Sequence, residues 1–344
     1  MTSTVEIAEI AGVSQATVSR VINNHAGVSP ETVQIVNEII KRLGYEPRPR
    51  KARREGGGQL RVKNVAVLML DGSSQRHPTL AMAKLRGVEQ ALSAAGMNMI
   101  LADVSSKQAS APALERRQLD GVLLWGHRAS KKLMEKLTGI PAVWLSSHVS
   151  SSDGAVSQGN AAIGRLAGEY LLQRDLDRLC FLTVKSDHPG FAARGDGFGY
   201  AAHLQGVEIE RYESDQDPPF EQMSSRQLEA AVAPLVEGML RDPRRPIGLF
   251  APDDQITAAI YRQLHRAKIE IGREINVVSC NNEEPYLAGL HPRPATIDLA
   301  PELTGRRAVE QLLWSMRRPD DTDRRMELIV EPILIEGDAL PESE

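Results

Sequence analysis

The sequence predicts a small all-α unit followed by an α/β body made of two lobes of parallel sheet. Three observations support this prediction. Three short helical patterns with their own caps fill residues 1–46, a basic stretch with prolines and glycines covers 47–63, and buried strand patterns alternate with amphipathic helices over 64–344. A chain of 344 residues suffices for two or three domains, each large enough to bury a core.

The second helix is predicted from a glycine turn and a serine cap in the stretch AGVSQATVSRVIN, residues 11–23. Gly12 permits a sharp turn. Ser14 can then cap a helix that turns Val18 and Val21 toward a core, with an opposite face of short or hydrogen-bonding side chains and no acid. Such a face is suited to approaching another molecule closely.

A third helix follows the same rules. Ser29 can cap it, Pro30 occupies its first position, and Val36, Ile40 and Leu43 supply its apolar stripe. Three short helices that share one core form a helix-turn-helix unit, in which the second helix enters the major groove of DNA. The sequence therefore predicts a DNA-binding headpiece over residues 1–46.

Each outward side chain of the second helix has a predicted contact on double-stranded DNA. Gln15 can offer its amide bidentately to adenine, and Arg20 can reach guanine or a phosphate. The methyl groups of Ala16 and Thr17 suit a thymine methyl. Phosphate contacts are expected from Ser14, Ser19 and Asn23. For each of these residues, the alternative interpretation is that it is an ordinary surface residue without a contact to DNA.

Positive charge is concentrated after the third helix. Residues 41–63 carry nine Lys or Arg and two Glu, whereas the whole chain has a net charge of −4. A basic arm on an acidic body indicates a polyanion bound at one end, with an affinity that falls as salt rises. A solvated linker that is merely basic is the alternative interpretation.

The stretch AGVSQATVSRVIN, followed by GVSPETVQIVNEIIKRLGYEP, closely resembles the DNA-binding headpiece of the LacI/GalR family of transcriptional regulators. This resemblance implies a homodimer whose two headpieces read a roughly palindromic operator.

The linker over 47–63 departs from the family pattern. Members of the family continue with a hinge helix that carries an alanine and a leucine, and this sequence has Lys51 and Arg54 at the matching positions. Prolines and glycines oppose a regular helix here. We expect a flexible arm that contacts phosphates or an A·T-rich minor groove, with a plain tether as the alternative. The arm residues expected at DNA are Arg48, Arg50, Lys51, Arg53 and Arg54.

From residue 64 onward, apolar runs of five or six residues alternate with amphipathic stretches, which is typical of a parallel sheet with crossover helices. The predicted strands are 65–70, 97–102, 121–125, 141–145, 179–184, 246–250 and 275–279. The predicted helices are 79–95, 160–173, 191–205, 223–241 and 254–267. Ligands of open α/β sheets bind at the carboxyl ends of the strands, so a crevice between two lobes is the expected site.

The family resemblance continues more diffusely through GVEQALSAAG, DGVLLWG, RGDGFGYAAHL, FAPDDQITAAIYRQL and PATIDLAPELTGRRAVEQLL. It implies the two-lobed periplasmic-binding-protein type I fold, a Rossmann-like α/β architecture, with three chain crossings near residues 158, 290 and 320. The expected first lobe comprises 64–157 and 291–319, and the second comprises 158–290 and 320–340.

The resemblance also implies the effector contacts, position by position. Arg194, in an R-x-x-G-F pattern, matches the family arginine that grips the ligand, and Asp253 stands where asparagine is usual. Asn281 stands where many sugar-responsive members have aspartate, and His77 follows the first strand. A surface or ion-paired arginine, a helix-capping aspartate and an ordinary turn histidine are the alternatives. Although some of these residues differ from those usual in the family, they would still form a polar pocket for a small molecule, which we expect to be a carbohydrate.

Other function classes are disfavoured. The sequence has no phosphate-cradling loop, nucleophile elbow or zinc-binding H-E-x-x-H, so no catalytic residue, cofactor or metal is expected. Cys180 and Cys280 lie in apolar contexts that suit reduced thiols. No export signal or membrane span is visible, so a cytoplasmic protein is expected. The sequence predicts a ligand-responsive repressor, with a solute-binding or sensing module lacking specific DNA recognition, or a sugar-processing enzyme, as alternatives.

Overall fold

A computed structural model of the chain describes its residues in ten segments. They are 4–22, 28–43, 62–70, 78–104, 118–126, 129–145, 154–157, 159–215, 223–317 and 326–338. The chain divides into two compact units, Met1–Gly58 and Gln59–Glu344.

The first unit contains three helices around one small apolar core. They are α1 (Thr4–Ala11), α2 (Gln15–Ile22) and α3 (Pro30–Arg42). The buried side chains of this core are Ile7, Ala8, Val18, Val21, Val36 and Ile39. The predicted Ile40 and Leu43 are only half-buried, because Val36 and Ile39 occupy the centre of the α3 stripe. The turn before α2 uses Gly12 at a φ of +64°, a left-handed backbone that favours glycine.

The predicted linker ends earlier than residue 63. The backbone N–H groups of Val62 and Lys63 both donate to the Asp120 carboxylate, at 3.1 and 2.5 Å. These two hydrogen bonds fix the residues immediately before the first strand, so Val62 and Lys63 belong to the second unit rather than to a free arm.

The second unit is built from two six-stranded sheets. The strands are β1 (Asn64–Leu70), β2 (Asn98–Val104), β3 (Gly121–Trp125), β4 (Ala142–Leu145), β5 (Gly154–Ser157), β6 (Arg178–Thr183), β7 (Ile209–Glu213), β8 (Ile247–Phe250), β9 (Ile275–Asn281), β10 (Ala295–Asp298), β11 (Glu327–Ile329) and β12 (Ile333–Ile335). The first sheet has the order β11-β5-β4-β3-β1-β2 and the second the order β12-β10-β9-β8-β6-β7. All described pairings are parallel except β10 with β12.

Helices cover both faces of each sheet. They are α4 (Pro78–Ala94), α5 (Lys131–Leu137), α6 (Asn160–Leu172), α7 (Pro189–Leu204), α8 (Ser225–Leu240), α9 (Asp254–Arg266), α10 (Glu284–Leu287) and α11 (Pro301–Arg317). In the first lobe, α4 and α11 share one apolar core with the sheet, and α5 packs on the other face. In the second lobe, α6 and α7 pack on one face, and α8 and α9 cover the other.

The chain passes between the lobes three times, and two of the predicted crossings are wrong. The first crossing lies between Ser157 and Asn160. The second follows Asp298 rather than residue 290, because β10 pairs with β9 in the second sheet. The third lies between Ile329 and Ile333 rather than near 320, because β11 pairs with β5 in the first sheet. The predicted lobe limits of 291–319 and 320–340 are corrected accordingly.

The three crossings bring the two sheets edge to edge. Strands β5, β10 and β11 run parallel to β4, β9 and β5 respectively, so each crossing begins at the carboxyl edge of a sheet. Strand β12 is antiparallel and begins beside Asp298, at the carboxyl end of β10. The carboxyl edges of both sheets therefore face each other, and we call the space between them the cleft.

The sequence patterns located the main elements of this α/β body. All seven predicted strands and all five predicted helices are observed, with ends that differ by a few residues. The strands that escaped prediction are the short β5, β7, β10, β11 and β12. Among the helices of the described segments, none has the length and apolar character needed to cross a bilayer.

Candidate nucleic-acid interface and ligand cleft

Helix α2 is held by its cap and by its buried side. The Ser14 hydroxyl accepts a hydrogen bond from the Thr17 N–H at 3.1 Å, as a helix cap does. Val18 and Val21 are buried, whereas Gln15 and Ala16 are exposed. Burial on one side fixes the rotation of α2 about its axis and so determines which side chains reach another molecule.

The exposed side of α2 has hydrogen-bonding capacity and a positive charge. Arg20 is exposed, Thr17 is half-buried, and the Ser14 and Thr17 hydroxyls lie 2.9 Å apart. Gln15 Nε2 donates to Thr4 Oγ1 of α1 at 3.0 Å, which restrains the amide. Its carbonyl oxygen and second N–H remain as the acceptor and donor that an adenine edge requires.

Several predicted contacts lie outside the described residues. They are Asn23, Arg48, Arg50, Lys51, Arg53, Arg54 and His77, together with the side chain of Ser19.

Arg194 is the centre of the polar cluster in the second lobe. Its side chain is nearly buried, in the second turn of α7. Nε donates to Asn160 Oδ1 at 3.1 Å, and Nη1 donates to the Pro252 carbonyl at 2.5 Å and to Asn281 Oδ1 at 3.3 Å. The guanidinium carbon also lies 5.7 Å from the centre of the Phe191 ring. These contacts hold the guanidinium at the carboxyl ends of β8 and β9.

Asn281 links Arg194 to Asp253. Its amide oxygen accepts from Arg194, and its amide nitrogen donates to Asp253 Oδ2 at 3.0 Å. Asn281 has a φ of +110°, a left-handed backbone conformation that is costly for any residue except glycine and is retained mainly at functional sites. The structure therefore brings together three of the four residues predicted to contact the effector.

Asp253 also caps helix α9, as its alternative interpretation requires. Asp253 Oδ1 accepts from the N–H groups of Gln255 at 2.8 Å and Ile256 at 3.3 Å. The two roles are compatible because the second oxygen faces Asn281. Capping fixes the carboxylate at the start of α9, where the helix dipole favours negative charge.

Asp254 lies behind this cluster rather than in it. Its carboxyl is fully buried and accepts from Ser279 Oγ, from the Glu283 N–H at 2.6 Å and from Thr296 Oγ1 at 3.2 Å. Burial raises the pKa of Asp254 to about 8, and the neighbouring Asp253 and Glu283 carboxylates act in the same direction. The group ties α9 to β9 and β10 beneath the cleft.

Two contacts of Arg194 were not predicted. Asn160 follows the first crossing and is preceded by Gly159, whose φ of +61° starts α6 in a left-handed conformation. Asn160 is not among the residues that the resemblance marks as effector contacts. The Pro252 carbonyl is a backbone group, and backbone acceptors leave no mark in the residue types.

Two family models match the chain. One, described as "Bacterial regulatory proteins, lacI family", covers residues 5–48. The other, described as "Periplasmic binding protein-like domain", covers residues 168–339, which is half of the chain. The matches place a DNA-binding family at the first unit and a ligand-binding fold at the second.

Individual proteins resemble the whole chain. The ribose operon repressor of Escherichia coli (strain K12) is 25% identical over 340 residues, which cover 96% of this chain and 97% of the repressor. The structure of a transcriptional regulator CelR–cellobiose complex matches with a TM-score of 0.63 and 23% identity over 98% of this chain and 99% of that chain. The lac repressor dimer bound to operator and the anti-inducer ONPF matches with a TM-score of 0.63 and 18% identity over 98% of both chains. The two structural likenesses concern the fold.

Proposed function

Because the chain belongs to the lacI family of bacterial regulatory proteins, we propose that it is a repressor that binds its operator as a homodimer under the control of a small molecule in the cleft. The observation that carries this proposal is the orientation of α2. Its buried valines leave Gln15, Ala16 and Arg20 outward on a capped helix with no acid in its first turn. Such a surface fits the major groove of a polyanion.

A dimer would place two copies of α2 on adjacent half-sites. Helix-turn-helix dimers bind half-sites about 10 base pairs apart or at multiples of that spacing, so a roughly palindromic operator is expected. In the second unit, β2 is an edge strand of the first sheet with Leu101 about half exposed, and Met82 on α4 is 63% exposed. Exposed apolar side chains of this size support association of two copies.

The cleft is the proposed effector site. Arg194, Asp253 and Asn281 supply donors and acceptors at the carboxyl edge of the second sheet, as polyhydroxylated ligands require. The related proteins named above include a ribose operon repressor and a regulator solved with cellobiose, which favours a carbohydrate or a carbohydrate derivative. The cleft binds this ligand and does not convert it.

Regulation follows from a difference in affinity. The effector changes operator binding only if it binds one arrangement of the lobes more tightly than the other, and the coupling acts equally in both directions. Induction and co-repression are both compatible with this scheme. The basic residues after the headpiece are expected to contribute phosphate contacts and therefore a steep dependence on salt.

Selection from random double-stranded DNA tests the proposal. The full chain is incubated with the pool at two salt concentrations, and bound fragments are sequenced over several rounds. We expect enrichment of one imperfect palindrome, a complex containing two protein chains in analytical ultracentrifugation, and a footprint over both half-sites. Recovery of no preferred sequence at either salt concentration would favour the solute-binding alternative.

A further inference from the structure

The second crossing passes from one lobe to the other between two adjacent residues. Leu299 is buried in a core cluster of the second lobe, whereas the next residue, Ala300, packs against a core cluster of the first. Ala300 has a φ of +45°, a left-handed conformation that is strained for a residue with a β-carbon. Such a backbone persists where surrounding contacts hold it, so the contacts of Ala300 identify what fixes this crossing.

Both backbone groups of Ala300 are held, one from each lobe. Its N–H donates to Oδ1 of Asp298, the last residue of β10, at 2.5 Å. Its carbonyl oxygen accepts from the N–H of Thr304 on α11 at 2.9 Å and from Thr304 Oγ1 at 3.1 Å. Asp298 therefore holds the crossing from the second lobe, and α11 holds it from the first.

The second oxygen of the Asp298 carboxylate binds the turn that follows β9, beside the polar cluster of the cleft. Oδ2 accepts from Asn282 Nδ2 at 2.8 Å. Asn282 directly follows Asn281, which contacts both Arg194 and Asp253. Asn281 and Asn282 both have a left-handed backbone, with φ of +110° and +56°. One carboxylate thus connects the strained turn at the cleft to the strained residue at the lobe boundary.

The two contacts of Asp298 link the movements of the groups that it binds. An ionised carboxylate only accepts, and its two oxygens here face two donors. If Asn282 moves, Asp298 must follow it or lose one of two charge-assisted hydrogen bonds. Movement of Asp298 in turn displaces the N–H of Ala300. The position of the turn and the direction in which the chain enters the first lobe are therefore coupled.

We propose that Asp298 is a positioning residue that transmits occupancy of the cleft to the arrangement of the lobes, by coupling Asn282 to Ala300. This inference rests on the proposed function, since it assumes that the effector binds beside Asn281 and that lobe arrangement controls operator binding. In the absence of effector, the Asn282–Asp298 contact favours one arrangement. Breaking the contact makes both arrangements accessible and changes operator affinity without any ligand.

Exchange of the two side chains tests this role. Asn282→Asp alone places two carboxylates opposite each other and should break the contact by repulsion. Combining Asn282→Asp with Asp298→Asn reverses the pair, because an amide at 298 can accept from the Ala300 N–H and donate to a carboxylate at 282. Asp338→Asn is the matched control, since the Asp338 carboxylate also accepts from a backbone N–H, that of Arg293, near the opposite end of β10.

Two measurements on the full chain follow these variants without any ligand. Spin labels at Lys132→Cys on α5 and Glu237→Cys on α8, both exposed positions, report the distance between the lobes by double electron–electron resonance. Excess unlabelled chain ensures that each measured pair lies within one protomer. The native Cys180 and Cys280 are buried and should stay unlabelled. Fluorescence anisotropy gives the affinity for the operator obtained by selection.

We expect Asn282→Asp to broaden the distance distribution and to change operator affinity by at least about fivefold, the lower end of typical allosteric couplings. The reversed pair should restore the wild-type distribution and bring the affinity to within about twofold of the wild type. Asp338→Asn should change neither quantity. Urea unfolding confirms that each variant is folded, and Asn282→Ala, which removes the contact without adding charge, replaces Asn282→Asp if that variant does not fold.

The outcomes separate this inference from the proposed function. Absence of a change in either quantity in Asn282→Asp, a change that the reversed pair does not correct, or an equal change in Asp338→Asn would overturn the role of Asp298 and leave the repressor intact. A wild-type chain that selects no DNA sequence contradicts the proposed function itself, and the distance distributions then decide whether the contact controls the lobes.

Discussion

The carbonyl oxygen of Arg194 lies 1.8 Å from the point that a β-carbon on Gly164 would occupy. Helices α6 and α7 thus pack backbone against backbone. Gly197 of α7 makes the reciprocal contact, because a β-carbon on it would lie 2.1 Å from the Ala161 carbonyl oxygen of α6. This close approach sets the distance of α7 from the first helix of its lobe. The position of the Arg194 side chain depends on it.

Gly164→Ala should therefore displace α7 and destabilise the second unit by roughly 1–3 kcal/mol, since overpacking a close contact strains the backbone. Urea unfolding of the full chain measures the loss. Gly238→Ala is the matched control, because a β-carbon there meets only the Tyr212 ring at 3.8 Å and alanine favours a helix over glycine. Equal stability of the two variants would show that α6 and α7 have room to separate.

Features that depend on neighbouring residues could be predicted from the sequence. The cap at Ser14 and the apolar spacing of Val18 and Val21 sufficed to orient α2, because a cap and a helical period involve neighbouring residues. Strands β10 and β11 escaped because polar residues interrupt both of them, so neither forms an apolar run, and only pairing with β9 and β5 assigns them to a sheet. The crossings were misplaced for this reason.

Arg194 shows the same limit at the site. A resemblance identified the residue, but its partners Asn160, Pro252 and Asn281 lie 34, 58 and 87 positions away. One of the three acceptors is a backbone carbonyl, which any residue could offer. Such a cluster is specified by topology, so sequence analysis could identify some of its members but not its geometry.

Replacing Gln15 or Arg20 by alanine should weaken binding to the selected operator by about 1–3 kcal/mol each and relax the choice of sequence. Both side chains lie on the outward side of α2, so folding should be unaffected. Fluorescence anisotropy on operator and on random DNA measures the two affinities. Gln34→Ala, an exposed glutamine on α3, is the control and should change neither. Losses of equal size on both DNAs would contradict base readout by α2.

Arg194→Lys should abolish the response to effector while preserving operator binding. Lysine keeps the charge but lacks the planar fork that reaches Asn160 and Asn281 together. Operator release is measured over a titration of the ligand identified by thermal shift. Arg165→Ala is the control, because that arginine is exposed on α6 and pairs with Glu169. A normal response from Arg194→Lys would remove Arg194 from the effector site.

Asp254 should make the second unit less stable as the pH rises. Its folded pKa of about 8 exceeds the unfolded value of about 3.9, so the folded state binds the extra proton and stability falls between those two pH values. Asp254→Asn cannot ionise and keeps hydrogen-bonding groups for Ser279 and Thr296. We expect a smaller fall in melting temperature from pH 5 to pH 8 for this variant, measured by differential scanning calorimetry. Parallel curves for both proteins would argue against the raised pKa.

Arg178 is the first residue of β6, at the end of the strand away from the cleft, and it joins β6 to β7. Its guanidinium is almost fully buried and binds the Glu210 carboxylate through Nε at 2.8 Å and Nη2 at 2.5 Å. Further bonds reach Tyr212 Oη at 2.9 Å and the Met239 carbonyl at 3.2 Å. Hydrogen bonding to Glu210 raises the pKa of Arg178, so the side chain stays charged throughout the accessible pH range.

Arg178→Met should consequently destabilise the chain by about 3 kcal/mol, because the Glu210 carboxylate keeps only Tyr212 and Arg244 as partners and the buried Met239 carbonyl loses its hydrogen bond to the guanidinium. Arg244→Met is the control in the same cluster. Arg244 is largely exposed, so water screens its ion pairs with Glu210 and Asp242 and they should contribute little to stability. Both variants should retain operator and effector binding, because neither residue lies at α2 or at the carboxyl edges. Denaturant unfolding gives the two free energies, and a loss for Arg178→Met no greater than that for Arg244→Met would show that water replaces the buried network at little cost.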